Sequence, residues 1–182
     1  ILYSRELDST PAHVRHVYVR DPDLACWYRR AFGRAADDPR DNDTTVLVNS
    51  GKALAAFQET LVTGRTPFDD YRDALARGDR LAAAKYPDSA ARGLMIFIGR
   101  GNCVLCHSGP NFSNAEFHST GIGHFTARGR ADGGRFEGIE AVTTNAFNLL
   151  SKFNDDASRV NATHTRNVVL APRHWGEFRT PS

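Results

Sequence analysis

Apolar positions recur along this chain at helical rather than strand spacing, in short runs punctuated by Gly, Pro and Asp. In TTVLVNSGKALAAFQETLVTG, Leu47, Leu54, Phe57 and Leu61 fall on one face of a predicted helix that stops at Gly64. A second helix is predicted to open with Thr66 as N-cap and Pro67 at the first helical position. Asp69 and Asp70 then occupy the first turn, where acidic groups suit the helix dipole. This helix presents Phe68, Tyr71 and Leu75 and ends near Gly78. A third begins around Ser89, carries Leu94, Phe97 and Ile98, and is ended by Gly99 and Gly101. The segment from Pro11 to Phe32 reads as partly helical. From Ser108 to Gly138 the chain is rich in Gly, Asn, Ser and Thr, interleaved with Phe112, Phe117, Phe125 and Phe136. That segment is expected to be a long ordered loop, a feature usually kept because it wraps something or does something. The fold class expected is mainly α, with an irregular C-terminal third.

Size and composition narrow the class. A chain of 182 residues with 41% hydrophobic and 24% charged residues suits one globular domain, or a domain with an attached arm. A formal net charge of +2 gives no argument for nucleic acid or a membrane surface. No apolar run approaches a membrane span. The first residue is Ile1 rather than Met, so the chain reads as a processed or trimmed piece. Three cysteines are too few for a disulfide scaffold. Cys26 is expected to be a small buried apolar residue, Trp27 and Trp175 are expected to be buried, and Met95 is expected in the core.

The chemistry lies in CVLCH, Cys103 to His107, which has the C-x-x-C-H form of a c-type haem attachment site. Two thiols at this spacing lie on one side of a short helical turn and can form thioethers with the two vinyl groups of haem. His107, next in the chain, reaches the iron from the same face. A dithiol of the thioredoxin type would need a strand before the motif, where a Gly-terminated helix is expected. A zinc site would need a second close pair of ligands, and His118 alone is a poor candidate. The sixth iron position decides function: Met or His there suits electron transfer, whereas an open position permits peroxide or oxygen chemistry. Met95 sits in the segment leading into the motif. His118, His124, His164 and His174 can in principle reach the distal face, although each reads more simply as a surface or loop histidine. The occupant stays open.

ARGLMIFIGRGNCVLCHSGPNFSNAEFHSTGI resembles the region around the second haem of bacterial di-haem cytochrome c peroxidases and their MauG-type relatives. NSGKALAAFQETLVTGRTPFDDY is similar to the helix pair before that haem. Asp132-Gly133-Gly134-Arg135 resembles the family's D-x-G-R element, and Phe178-Arg179-Thr180-Pro181-Ser182 the start of its F-[KR]-T-P-S segment. The resemblance runs from about residue 40 to the end. It implies residues 1–40 as an N-terminal arm or interdomain segment and 41–182 as a cytochrome c-like haem domain with long ordered loops, truncated at its C-terminus. It further implies a periplasmic oxidoreductase with two haems, in which this chain holds the higher-potential, electron-relaying one. One haem c belongs to this chain and a second to a peroxidatic domain missing from it. Calcium is a candidate only for the intact protein. The implied activity is reduction of hydrogen peroxide with electrons from a small cytochrome or copper protein, or MauG-type oxidation of a protein substrate. A homodimer is allowed, and this chain alone is not expected to be competent. Carried over by position are Cys103 and Cys106 as attachment points and His107 as axial ligand. Phe97, Pro110 and Phe112 are expected in the haem pocket. The alternative is a monohaem cytochrome c that only carries electrons.

Overall fold

The computed structural model of the protein describes residues 7–127 and 129–182. It is mainly α, in keeping with a cytochrome c-like domain, and its chain divides into two compact units at Gly64/Arg65.

The first unit is built from α1 (Pro11–Arg20), α2 (Pro22–Phe32) and α3 (Asp43–Glu59). Pro22 cannot continue α1, because it lacks an N–H for the preceding turn. Asp21 therefore closes one helix and caps the next, its carboxylate accepting from the Asp23 and Leu24 N–H groups at 2.9 and 3.0 Å. Gly33, at φ 73°, ends α2 in the left-handed conformation that glycine adopts without strain. Tyr28, Ala36 and Val46 form the core, with Tyr18 and Phe32 packed against them. The Asn49 amide donates to the Tyr28 hydroxyl at 2.8 Å. Burial pushes the Tyr28 hydroxyl pKa up.

The second unit opens with α4 (Pro67–Ala76), α5 (Arg80–Ala83) and α6 (Asp88–Ile98). Thr66 and Asp69 make a reciprocal capping box at the start of α4. The Tyr71 and Tyr86 rings stack with centroids 4.4 Å apart. A single 3₁₀ turn, Cys103–Leu105, follows α6. Two short antiparallel ribbons then order the loop region. In one, β1 (Phe117–His118) pairs with β4 (Phe178–Arg179); in the other, β2 (Phe125–Ala127) pairs with β3 (Arg130–Ala131). Between them run α7 (Arg135–Thr144) and α8 (Thr163–Asn167).

Several expectations are corrected. The helix predicted to reach Gly64 ends at Glu59, and its buried residues are Val46, Leu47 and Ser50. Leu54, Phe57 and Leu61 are exposed. Cys26 is exposed, and Trp27 is 61% exposed, because α2 turns Tyr28 inward and leaves its neighbours on the outer arc. The Arg30 guanidinium lies 5.0 Å from the Trp27 ring centroid and covers it instead. On α6 the half-buried residues include Leu94 and Phe97, so Met95 points away and is 66% exposed. Trp175 is half exposed, with its ring set against Phe136 at 5.5 Å. His174, read as a surface histidine, is buried beside Glu177.

Candidate functional site

The CVLCH turn is shaped by backbone first. The Gly99 N–H bonds to the Met95 carbonyl at 3.1 Å and the Gly101 N–H to the Ile96 carbonyl at 2.8 Å, unwinding α6 in a tight spiral. A Cβ on Gly101 would stand 2.6 Å from the Ile96 oxygen, and one on Gly99 equally close to the Met95 oxygen. Only glycine fits at both positions. Asn102 follows in the left-handed region at φ 55°, a conformation Asn tolerates better than most residues. The next turn closes with the Cys106 and His107 N–H groups both donating to the Cys103 carbonyl, at 3.2 and 2.8 Å. Cys103 is exposed and Cys106 half-buried.

His107 is aimed by its Nδ1, which lies 2.9 Å from the Phe112 carbonyl oxygen. That oxygen can only accept, so Nδ1 carries the hydrogen and Nε2 keeps its lone pair for a metal. Two thiols and one imidazole with a committed Nδ1, all on five residues, fit a covalently attached haem c. The surroundings fit a large flat apolar group too. Phe112 packs against Phe68 at 5.4 Å and Phe97 at 6.2 Å, and Met95, Ile96, Ile98, Leu105 and Phe112 are exposed apolar side chains close to the motif in sequence. Of the expected pocket residues, Phe97 and Phe112 are therefore together, and Pro110 lies exposed on the turn between His107 and Phe112.

The candidate distal histidines are placed as follows. His118 Nε2 accepts from the Asn114 amide at 3.1 Å and is thereby occupied. His174 Nδ1 lies 2.9 Å from Glu177, His124 packs edge-on against Phe178, and His164 is exposed on α8. Among the described residues no three His, Cys, Asp or Glu side chains converge as a metal-holding group. No helix of the described residues is long and apolar enough to cross a membrane.

Two groups were not anticipated from the sequence. Asn114 clamps the CVLCH turn: its backbone N–H donates to the Cys106 carbonyl at 2.9 Å and its amide to the Leu105 carbonyl at 3.3 Å. The second is an ionic cluster joining Arg135, at the end of the quoted Asp132–Arg135 element, to Glu177 and His174, just before the quoted Phe178–Ser182 segment. The Arg135 guanidinium donates to Glu177 at 3.0 Å, on the same oxygen that faces His174. It also stacks over the Phe117 ring at 4.9 Å. The His174 hydrogen bond, then that of Arg135, holds the Glu177 carboxyl below its usual range. Gly134, at φ 57°, sits where any Cβ would strike the Glu177 carbonyl, and this allows the two backbones to meet.

Comparison with known proteins follows the same line. MauG of Methylorubrum extorquens is 35% identical to this chain over 111 residues, covering 60% of the chain and 28% of MauG. Cytochrome-c peroxidase IdrP1 of Denitromonas iodatirespirans is 32% identical over 103 residues, 56% of the chain and 23% of the relative. Over that region the chain is similar to MauG and the di-haem cytochrome c peroxidases. Cytochrome c551 peroxidase of Pseudomonas aeruginosa shares the family likeness at 29% identity over 119 residues, 65% of the chain and 30% of that enzyme. The shared region thus spans less than a third of the length of each of these family members. No protein-family model matches the chain, and no solved structure matches it.

Proposed function

We propose that this chain is the electron-transfer haem domain of a periplasmic di-haem c-type oxidoreductase. The whole protein would reduce hydrogen peroxide with electrons from a small redox protein, or oxidise a partner protein in the manner of MauG. The observation that carries the reading is His107, held by the Phe112 carbonyl with Nε2 free on a CVLCH turn, in a chain related to that family. Haem c, when bound, supplies a one-electron iron couple. Cys103 and Cys106 would hold it, and His107 would supply a nitrogen ligand to the iron. The Nδ1–H···O bond keeps the imidazole in one orientation and makes it a stronger donor. Phe97 and Phe112 exclude water from the haem edge, with Pro110 rigidifying the loop between ligand and pocket. These roles position and tune a centre that passes electrons on.

The test is a haem count and a turnover assay on the full-length protein. Two covalent haems by pyridine haemochrome and intact mass are expected, with peroxide-dependent oxidation of a reduced small cytochrome or of a protein substrate. Replacing Cys103 and Cys106 with Ala should remove one haem. One haem in the whole protein and no peroxide turnover would assign a simple electron carrier instead. No covalent haem at all would sink both readings.

A further inference from the structure

The carbonyl that aims His107 belongs to a strained piece of backbone. Phe112 has φ 49° and Ala115 φ 59°, both left-handed and neither a glycine. Each such residue is strained and persists only where its surroundings over-determine it. The restraints around this pair are specific. Between the two strained residues, the Ser113 hydroxyl donates to the Thr180 carbonyl at 2.6 Å and accepts from the Ala115 N–H at 3.1 Å. The Thr180 N–H returns a bond to the Glu116 carbonyl at 3.0 Å, and Thr180 is itself buried. Ser113 and Thr180 are 67 residues apart, so this hydroxyl joins the loop after the haem turn to the end of β4. Three residues before Thr180, Glu177 pairs with Arg135 at 3.0 Å.

We infer that Ser113 is a positioning residue for the axial ligand: by tying the Phe112–Ser113 peptide to Thr180, it holds the Phe112 carbonyl on His107 Nδ1. Without the hydroxyl, Phe112 loses the restraint on its left-handed conformation and its carbonyl turns away from the imidazole. The ligand becomes a weaker donor, the ferric state is less stabilised, and the potential of the haem on Cys103 and Cys106 rises. This inference rests on the haem reading of CVLCH.

The experiment uses the full-length, haem-loaded protein with Ser113→Ala, Ser113→Thr and, as a control elsewhere in the loop, Ser119→Ala. Haem content by pyridine haemochrome comes first. A wild-type protein without covalent haem overturns the underlying reading, and that outcome is recognised before any variant is compared. With haem present, spectroelectrochemical titration and the ferric EPR spectrum are read. Ser113→Ala is expected to raise the midpoint potential by up to roughly tenfold in the ferric-to-ferrous ratio, ~59 mV for a one-electron couple. Its EPR g-values should shift with it, while Ser113→Thr and Ser119→Ala stay at wild type. Unchanged potential and spectrum in Ser113→Ala overturn the inference. Should Ser113→Ala fail to load haem, Ser113→Gly and Ser113→Thr decide. A wild-type potential in the Thr variant with a raised one in Gly supports the role, and equal displacement of both overturns it.

Discussion

Glu177 serves two partners with one oxygen, accepting from Arg135 at 3.0 Å and facing His174 at 2.9 Å. Because His174 is buried, removing the carboxylate strands a polar ring with no replacement partner, whereas an amide still accepts. Glu177→Ala should therefore lower the urea midpoint of unfolding more than Glu177→Gln does; equal midpoints would deny the cluster any such role. At this scale the sequence is legible where chemistry needs particular atoms. Cys103, Cys106 and His107, the residues proposed to hold haem, stand out because thioethers and an iron ligand would require two thiols and an imidazole at set spacing. Ser113 and Asn114 cannot be read, because their partners are the carbonyls of Thr180, Cys106 and Leu105, and every residue has a carbonyl. His174 misleads for a related reason: its burial depends on Arg135 and Glu177, one of them far away in the chain.

Local signals decide which elements were foreseen. Thr66, Pro67 and Asp69 announce α4 because a capping box is contained in four residues. Thr66→Ala should cost about 1 kcal/mol in chemical denaturation, as loss of an N-cap does, and a change near zero would mean the box is frayed in solution. By contrast α7 carries no side-chain cap, starts after Gly134 and contains Gly138 and two adjacent threonines, so nothing local declares it. Strands β1 and β4 are two residues each and pair Phe117 with Arg179, too short for alternation to be visible. The overextension of α3 has the opposite origin. Leu54, Phe57 and Leu61 keep helical spacing, yet only the N-terminal half of the helix finds a core to fill.

Across the whole chain, carboxylates are held below their ordinary range by donors that exist only in the folded state. Asp38 is lowered chiefly by Arg40, Asp73 by Arg65 and Asp69 by the Thr66 N–H. Asp156, bonded to Ser158 and Asn161, is pulled down to about 2. With folded-state values depressed, the unfolded chain takes up protons first as the pH falls. The stabilisation is thus complete above the ordinary carboxylate range and is lost as pH drops from about 4 toward 2. Melting temperature followed by circular dichroism should be flat from pH 7 to 5 and fall steeply below 4. A constant value down to pH 3 would contradict these pairings. These groups are half-buried and still reached by solvent, so added salt should flatten the curve.

The tie from Ser113 to Thr180 also sets an order of events during biosynthesis. Cys103 and Cys106 lie some seventy residues before Phe178, on a turn closed by local bonds within Met95–Asn114. On the proposed reading, the thiols can therefore be presented for haem attachment before the segment around Thr180 has folded against the loop. Contacts of long sequence separation carry the larger loop-closure cost and form late. Chains released just before Phe178 are accordingly expected to attach haem, by mass, but to show a heterogeneous ferric EPR signal that sharpens only once β4 is included. Attachment that itself required β4 would reverse this order.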